Sequence, residues 1–255
     1  MSVTFYAVAF VTIFLIALLK GAFGGGFALI GVPILSNFIS PIEAAAIIAP
    51  LVCLMDLFAL AAYPPRTWNR AQLKVLIPGS MVGMALGTIL LGRAAEGWIA
   101  LIVGLIATLF SLQWFMTRGR GKPVRSGARR PSSSSGWAWG AASGFTSLLA
   151  HAGGPPLAMY LLPQRLPKTE LAGTQTVFFM VGNYMKLLPY VMLGRLDLPT
   201  LKTAVALAAA VPLGVGLGRL LHGRLDQARI YMGCYALTLL AGLHMLAEVV
   251  LHGIR

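Results

Sequence analysis

The sequence predicts an all-α polytopic membrane protein built from two homologous repeats of four hydrophobic segments, the first segment of each broken or re-entrant. Three observations predict it. Of 255 residues, 58% are hydrophobic and only 11% charged, against roughly 25% charged in a soluble domain. Apolar stretches of about 20 residues, the length that crosses a bilayer, recur from Val3 to the C-terminus. One hydrophilic interruption, "TRGRGKPVRSGARRPSSSSG" at 117–136, divides the chain near its middle, with six basic residues, no acid and a serine run, the composition of a flexible linker.

The net charge of +13 would suggest nucleic acid as the partner of a soluble protein, but the charges lie in short loops and the linker, with no basic face interleaved with aromatics. No nucleic acid is expected; the bilayer is. The positive-inside rule makes the linker cytoplasmic and, counting spans backwards, places Arg66, Arg70 and Lys74 on the same side. The expected location is a bacterial-type plasma (inner) membrane. Val3–Leu19 is read as a retained segment, because no basic region precedes it and no small-residue cleavage site follows before Lys20.

The first repeat, 1–116, opens with 3–38. A straight helix of 36 residues would be about 54 Å long, well beyond a hydrocarbon core of about 30 Å, and "GAFGGGF" at 21–27 lies in its middle, so the chain bends at Gly24, Gly25 and Gly26. Plain spans follow near 43–62, 73–91 and 97–116. "SPIE" at 40–43 offers Ser40 as N-cap, Pro41 at the first helical position and Glu43 at the third, and Asn69 caps the next helix. The second repeat, 137–255, opens with 137–163, interrupted by "HAGGPP" at 151–156, and continues with spans near 171–193, 200–221 and 228–250, the last capped by Asp226. Gly83-x-x-x-Gly87 and Gly214-x-x-x-Gly218 allow helices to approach closely.

The two halves share punctuation in register: Gly25-Gly26 with Gly153-Gly154, Pro41 with Pro167, Lys74 with Lys202, and Gly92-Arg93 with Gly223-Arg224, at offsets drifting from 126 to 131. That pattern favours an internal duplication. If the opening segments are re-entrant, three full spans per half make the repeat inverted, the arrangement favoured here; if they cross, the repeats are parallel. Irregular backbone at membrane depth survives only where protein or a watery cavity satisfies its polar groups, and paired breaks point to a binding site.

Broken helices supply free amides and a positive dipole end, which suit an anion. The amides around Gly24, Gly25 and Gly26 and around Gly153 and Gly154 form the expected substrate cradle. Along 171–193, Thr176, Phe179, Asn183, Lys186 and Tyr190 recur at spacings of three and four and share a face. Lys186, an ionisable residue inside a span, is the expected counter-charge, with Asn183 and Thr176 donating hydrogen bonds. Asp56 lies 127 residues before Asn183 and is expected either to pair with Lys186, the favoured role, or to carry a coupling proton. His151 either donates to the anion or caps the break, and Lys20 is read as an interfacial anchor. Cys53 and Cys234 fit neither a metal spacing nor a disulfide framework. No nucleophile–base set, phosphate loop, metal site or cofactor site emerges, so no enzyme activity is expected.

"GAFGGGFALIGVPIL" (21–35) and "GFTSLLAHAGGPPLAMYLL" (144–162), each followed by a proline and a three-helix unit, resemble the TauE/SafE family over nearly the whole chain. The resemblance implies a secondary permease or exporter of sulfite, organosulfonates or related sulfur anions, organic or inorganic. "GTQT" at 173–176 is similar to the hydroxyl-bearing start of the family's next helix and adds Thr174 to the candidate site. The first-half counterpart, "AAIIAP" at 45–50, lacks hydroxyls. The coupling ion, H+ or Na+, and a homodimeric partner are left open. The rival reading is a non-transporting membrane scaffold or accessory subunit whose glycine-rich helices serve only packing.

Overall fold

The computed structural model describes residues 2–23, 28–61, 63–118, 133–164, 166–221 and 227–252, and among them finds helices and no strand. The first half of the chain contributes α1 (Val3–Phe23), a 3-10 turn at Ala28–Ile30 leading into α2 (Gly31–Leu35), α3 (Pro41–Leu60), α4 (Arg70–Arg93) and α5 (Glu96–Arg118). Helix covers both ends of the expected 117–136 linker, α5 running to Arg118 and α6 (Ser133–Ala150) starting at Ser133, and there follow α7 (Gly154–Leu161), α8 (Lys168–Met192), α9 (Leu198–Leu207), α10 (Ala210–Leu221) and α11 (Gln227–His252). Six helical stretches among the described residues are long and apolar enough to cross a membrane: Val3–Ala22, Pro41–Leu60, Arg70–Arg93, Glu96–Thr117, Leu198–Leu221 and Met232–Leu251. The chain is a polytopic membrane protein.

Local signals set the boundaries. Ser40 caps α3, its hydroxyl accepting from the Glu43 amide at 3.3 Å, with Pro41 at the first helical position. Asn69 caps α4 through the Gln72 amide. Asp197, which the sequence reading did not single out, caps α9 by accepting from the Thr200 amide at 2.9 Å; hydrogen bonds from Thr200 hold its carboxyl below the usual aspartate value. Asp226 lies outside the described residues, as do Gly24, Gly25 and Gly26. The span expected at 200–221 divides at Ala208–Ala209 into α9 and α10. Pro212 has no N–H to give the Ala208 carbonyl, which instead accepts from Val211 in a tighter turn.

Each opening segment doubles back. The Phe5 and Phe38 rings lie 6.2 Å apart, so the chain leaving α2 ends beside the start of α1. In the second half, a Cβ on Gly136 near the start of α6 would lie 2.7 Å from the Tyr160 hydroxyl near the end of α7. Both return limbs are short, α2 of five residues and α7 of eight.

Helix pairing exchanges partners between the halves. The α1 helix packs on α10 and α4 on α6, while α3 packs on α8 and α5 on α11. Along α4 and α6 the contacts ascend together, Leu76 with Gly140, Ser80 with Gly144, Gly87 with Leu148, so the two run parallel. The same holds for α1 and α10, where Phe14 and Ala17 meet Gly214, and Leu18 and Ala22 meet Gly218. The α3–α8 pair runs the other way. The Asn69 amide beyond the end of α3 donates to Thr174 Oγ1 at 2.9 Å, whereas Asp56, thirteen residues earlier, meets Asn183, nine residues later. Central α3 is buried on nearly every side, as expected of a helix apolar all round. The outer helices turn Leu109, Leu188, Val205 and Leu240 outward, a lipid-facing surface.

Small residues make the parallel pairs possible, because without a hydrophobic drive between helices in lipid, close backbone approach supplies the packing. A Cβ on Gly83 would collide with the Ala141 carbonyl, whereas one on Gly216 would meet nothing within 4 Å. Gly83→Ala is therefore expected to destabilise the detergent-solubilised protein by about 1–3 kcal/mol, and Gly216→Ala to stay within about 0.5 kcal/mol of the parent, read as thermal unfolding midpoints. An unchanged midpoint for Gly83→Ala would separate the two backbones.

Candidate functional site

The described ends of the two hairpins and the facing stretches of α3 and α8 bring five polar side chains together. Lys20 comes from the last turn of α1, Asp56 from the penultimate turn of α3, Asn183 and Lys186 from α8, and His151 from the residue after α6. Asp56 is wholly buried, and Lys20 Nζ approaches its Oδ1 at 2.5 Å while Asn183 Nδ2 donates to its Oδ2 at 2.5 Å. Both carboxylate oxygens are thus engaged.

The expected Asp56–Lys186 pair does not form. Asp56 meets Lys20, which is buried rather than anchored at an interface, and Lys186 lies on His151 instead, Nζ to Nδ1 at 2.7 Å. The other ring nitrogen, Nε2, sits 2.9 Å from the Ala45 carbonyl oxygen. A carbonyl can only accept, so Nε2 carries the ring proton and Nδ1 accepts from Lys186 Nζ. His151 is therefore a neutral bridge between Lys186 and α3. Its φ of 51° is left-handed, costly for a residue with a side chain. The two ring hydrogen bonds help hold it there.

Hydroxyls from one face of α6 satisfy the broken backbone. Ser143 Oγ donates to the Gly153 carbonyl at 2.7 Å, and Thr146 Oγ1 lies 3.0 Å from the Ala152 carbonyl oxygen. The Ala152 amide returns to the Thr146 carbonyl, and the Tyr190 hydroxyl donates to the Leu148 carbonyl at 2.5 Å. Among the described residues, neither Gly153 nor Gly154 gives its amide to a backbone carbonyl.

Beside this cluster lies a hollow of about 20 Å³, lined on its polar side by Lys20, Ser147, His151, Asn183 and Lys186 and on its apolar side by Ile16, Val52 and Phe179. That is space for about one water. Gly153 and Gly154 shape the break but do not line the hollow. Thr176 is buried and donates to the Ala172 carbonyl of its own helix, and Thr174 accepts from the Asn69 amide, tying α8 to the start of α4 well away from the cluster. Sequence reasoning missed Ser143, Thr146 and Ser147; their spacing of three and four on α6, just before the break, was the available signal.

The charge balance is unequal. Lys20 and Asp56 answer each other, but Lys186, fully buried, has no carboxylate in contact among the described residues. An ammonium has three donors, and His151 takes one. A buried cation without a counter-ion is costly and is met at functional positions inside membranes.

A family model described as sulfite exporter TauE/SafE matches residues 9–245. The chain belongs to the TauE/SafE family. No curated protein and no solved structure matches it significantly. Membership places this polytopic chain in a membrane transport family of sulfur anions, and every member of the polar cluster lies within the matched residues.

Removing one member of a buried pair is expected to cost much more than removing both. Lys20→Met should lower stability by about 3–5 kcal/mol by stranding Asp56, and adding Asp56→Asn should recover most of that loss. Additive losses in the double variant would mean that the two side chains do not interact.

Proposed function

We propose that this TauE/SafE protein is a secondary transporter of small sulfur-containing anions, sulfite or organosulfonates, and that the anion is held between Lys186 and the Lys20–Asp56–Asn183 group with Ser147 as a further donor. One observation carries the reading: a fully buried lysine with no carboxylate in contact among the described residues faces a hollow also lined by Lys20, Asn183 and Ser147, all of which can donate. An anion in that hollow supplies the missing counter-charge. The hollow holds no more than a water in this form, so loading requires the hairpins to move relative to α3 and α8.

The proposed architecture is two inverted repeats, 1–116 and 137–255, joined by a cytoplasmic linker at 117–136 in a bacterial-type inner membrane. What supports inversion is the doubling back of both opening segments, together with the antiparallel α3–α8 pair and the parallel α1–α10 and α4–α6 pairs. Inverted repeats give a transporter two nearly equivalent conformations, open to opposite sides.

Two experiments test this. In proteoliposomes, Lys186→Met is expected to reduce sulfite or organosulfonate flux by about a hundredfold, the equivalent of the roughly 2.5–3.5 kcal/mol at stake for a charge in a span. The variant should still fold, since it removes an uncompensated buried charge; flux equal to the parent's would overturn the role of Lys186. For topology, Cys53 and Cys234 are replaced and single cysteines introduced as Ser2→Cys and Ser126→Cys. A membrane-impermeant maleimide should label the first on intact cells and the second only after permeabilisation, and labelling of both from one side would mean that the opening segments cross.

A further inference from the structure

The Asp56 carboxylate sits where a substrate anion would otherwise find its best donors. Its two oxygens occupy Lys20 Nζ and Asn183 Nδ2, each at 2.5 Å, and both of those side chains also line the hollow. Asp56 therefore behaves as a resident anion bound to part of the site. His151 is neutral, since its Nε2–H faces the Ala45 carbonyl and its Nδ1 accepts from Lys186. With Lys20 and Lys186 both protonated, two ammonium groups and one carboxylate give the described side chains of the cluster a single net positive charge. Every residual charge in such surroundings carries a desolvation cost of several kcal/mol.

We propose that Asp56 sets the valence of the anion this protein accepts: the cluster matches a monoanion, such as a sulfonate, and rejects a dianion of the same shape. The proposal rests on reading the cluster as the anion site and adds what selects among anions there. A monoanion beside Lys186 brings the buried group to neutrality. A dianion leaves one negative charge unmatched and faces the carboxylate of Asp56 as well. Neutralising Asp56 raises the cluster to two positive charges and frees the Lys20 and Asn183 donors, so the preference reverses.

Methanesulfonate and sulfate make the comparison, being tetrahedral and nearly equal in size, one with a methyl group where the other has a second charged oxygen. Both keep their charge across neutral pH. Isothermal titration of the detergent-purified full chain with each sodium salt should show methanesulfonate binding at least about tenfold tighter to the parent, a difference of about 1.4 kcal/mol. Asp56→Asn should bind sulfate the tighter of the two. Lys20→Met/Asp56→Asn, with one buried charge restored, should return to methanesulfonate.

Sulfate binding the parent as tightly as methanesulfonate overturns the valence rule while leaving the anion site standing, and so does an Asp56→Asn variant that keeps the parent's order. If Asp56→Asn does not fold, the parent and the double variant decide together, since each carries one net charge and a preference for sulfate in either ends the proposal. Binding of neither salt to any folded form removes the anion site itself, and the rule with it.

Discussion

A charge or an unpaired peptide group inside hydrocarbon must find its partner within the protein, and the architecture follows from meeting that demand in one place. Asp56 is answered by Lys20 and Asn183, the broken backbone after α6 by Ser143 and Thr146, and the Leu148 carbonyl by Tyr190. These partners come from α1, α3, α6 and α8. They meet because α3, apolar along most of its length, takes the centre, and because both opening segments turn back toward it. Lys186 is the exception, a buried lysine answered among the described residues by a neutral imidazole and no carboxylate, and the transport reading is built around that exception.

Much of the framework was legible in the chain. Ser40 and Asn69 cap their helices because a short polar side chain just before a helix reaches the free amides of its first turn, local chemistry that persists at Asn69 even though its side-chain amide also donates to Glu170. The break after α6 was legible too, since paired glycines and prolines weaken the helix where the chain leaves α6; the glycines expected to break the first opening segment lie outside the described residues. Proline inside a span was less informative. Pro50, Pro78 and Pro189 sit within continuous helices, whereas the α9–α10 division lies beside Pro212; which proline breaks its helix depends on what the neighbours make of the freed carbonyl.

The candidate site was legible as a set of residues but not as a set of contacts. Asn183, Lys186 and Tyr190 announce themselves by spacing on one helix face, and Asp56 by being an acid in an apolar run. Their partners do not. Whether Asp56 meets Lys186 or Lys20 depends on how α1 and α8 settle against α3, a matter of packing between segments more than a hundred residues apart. His151 likewise needs the Ala45 carbonyl, and a backbone atom has no signature in the side-chain sequence. In the proposed repeat Asp56 and Asn183 occupy equivalent positions, and the difference between them is physically apt: two facing carboxylates would repel, while an amide of the same shape donates.

The exchange of helix partners also bears on how the chain is made. When α6 leaves the ribosome, its neighbour α4 has already been inserted, so the second hairpin has a surface to settle on at once. The first is less fortunate: α1 leans on α10, which is synthesised nearly two hundred residues later. Through most of translation the glycine-matched flank of α1 lies against lipid or a chaperone instead of its final neighbour. The α1–α10 contact is thus completed only after the helices between them have been made.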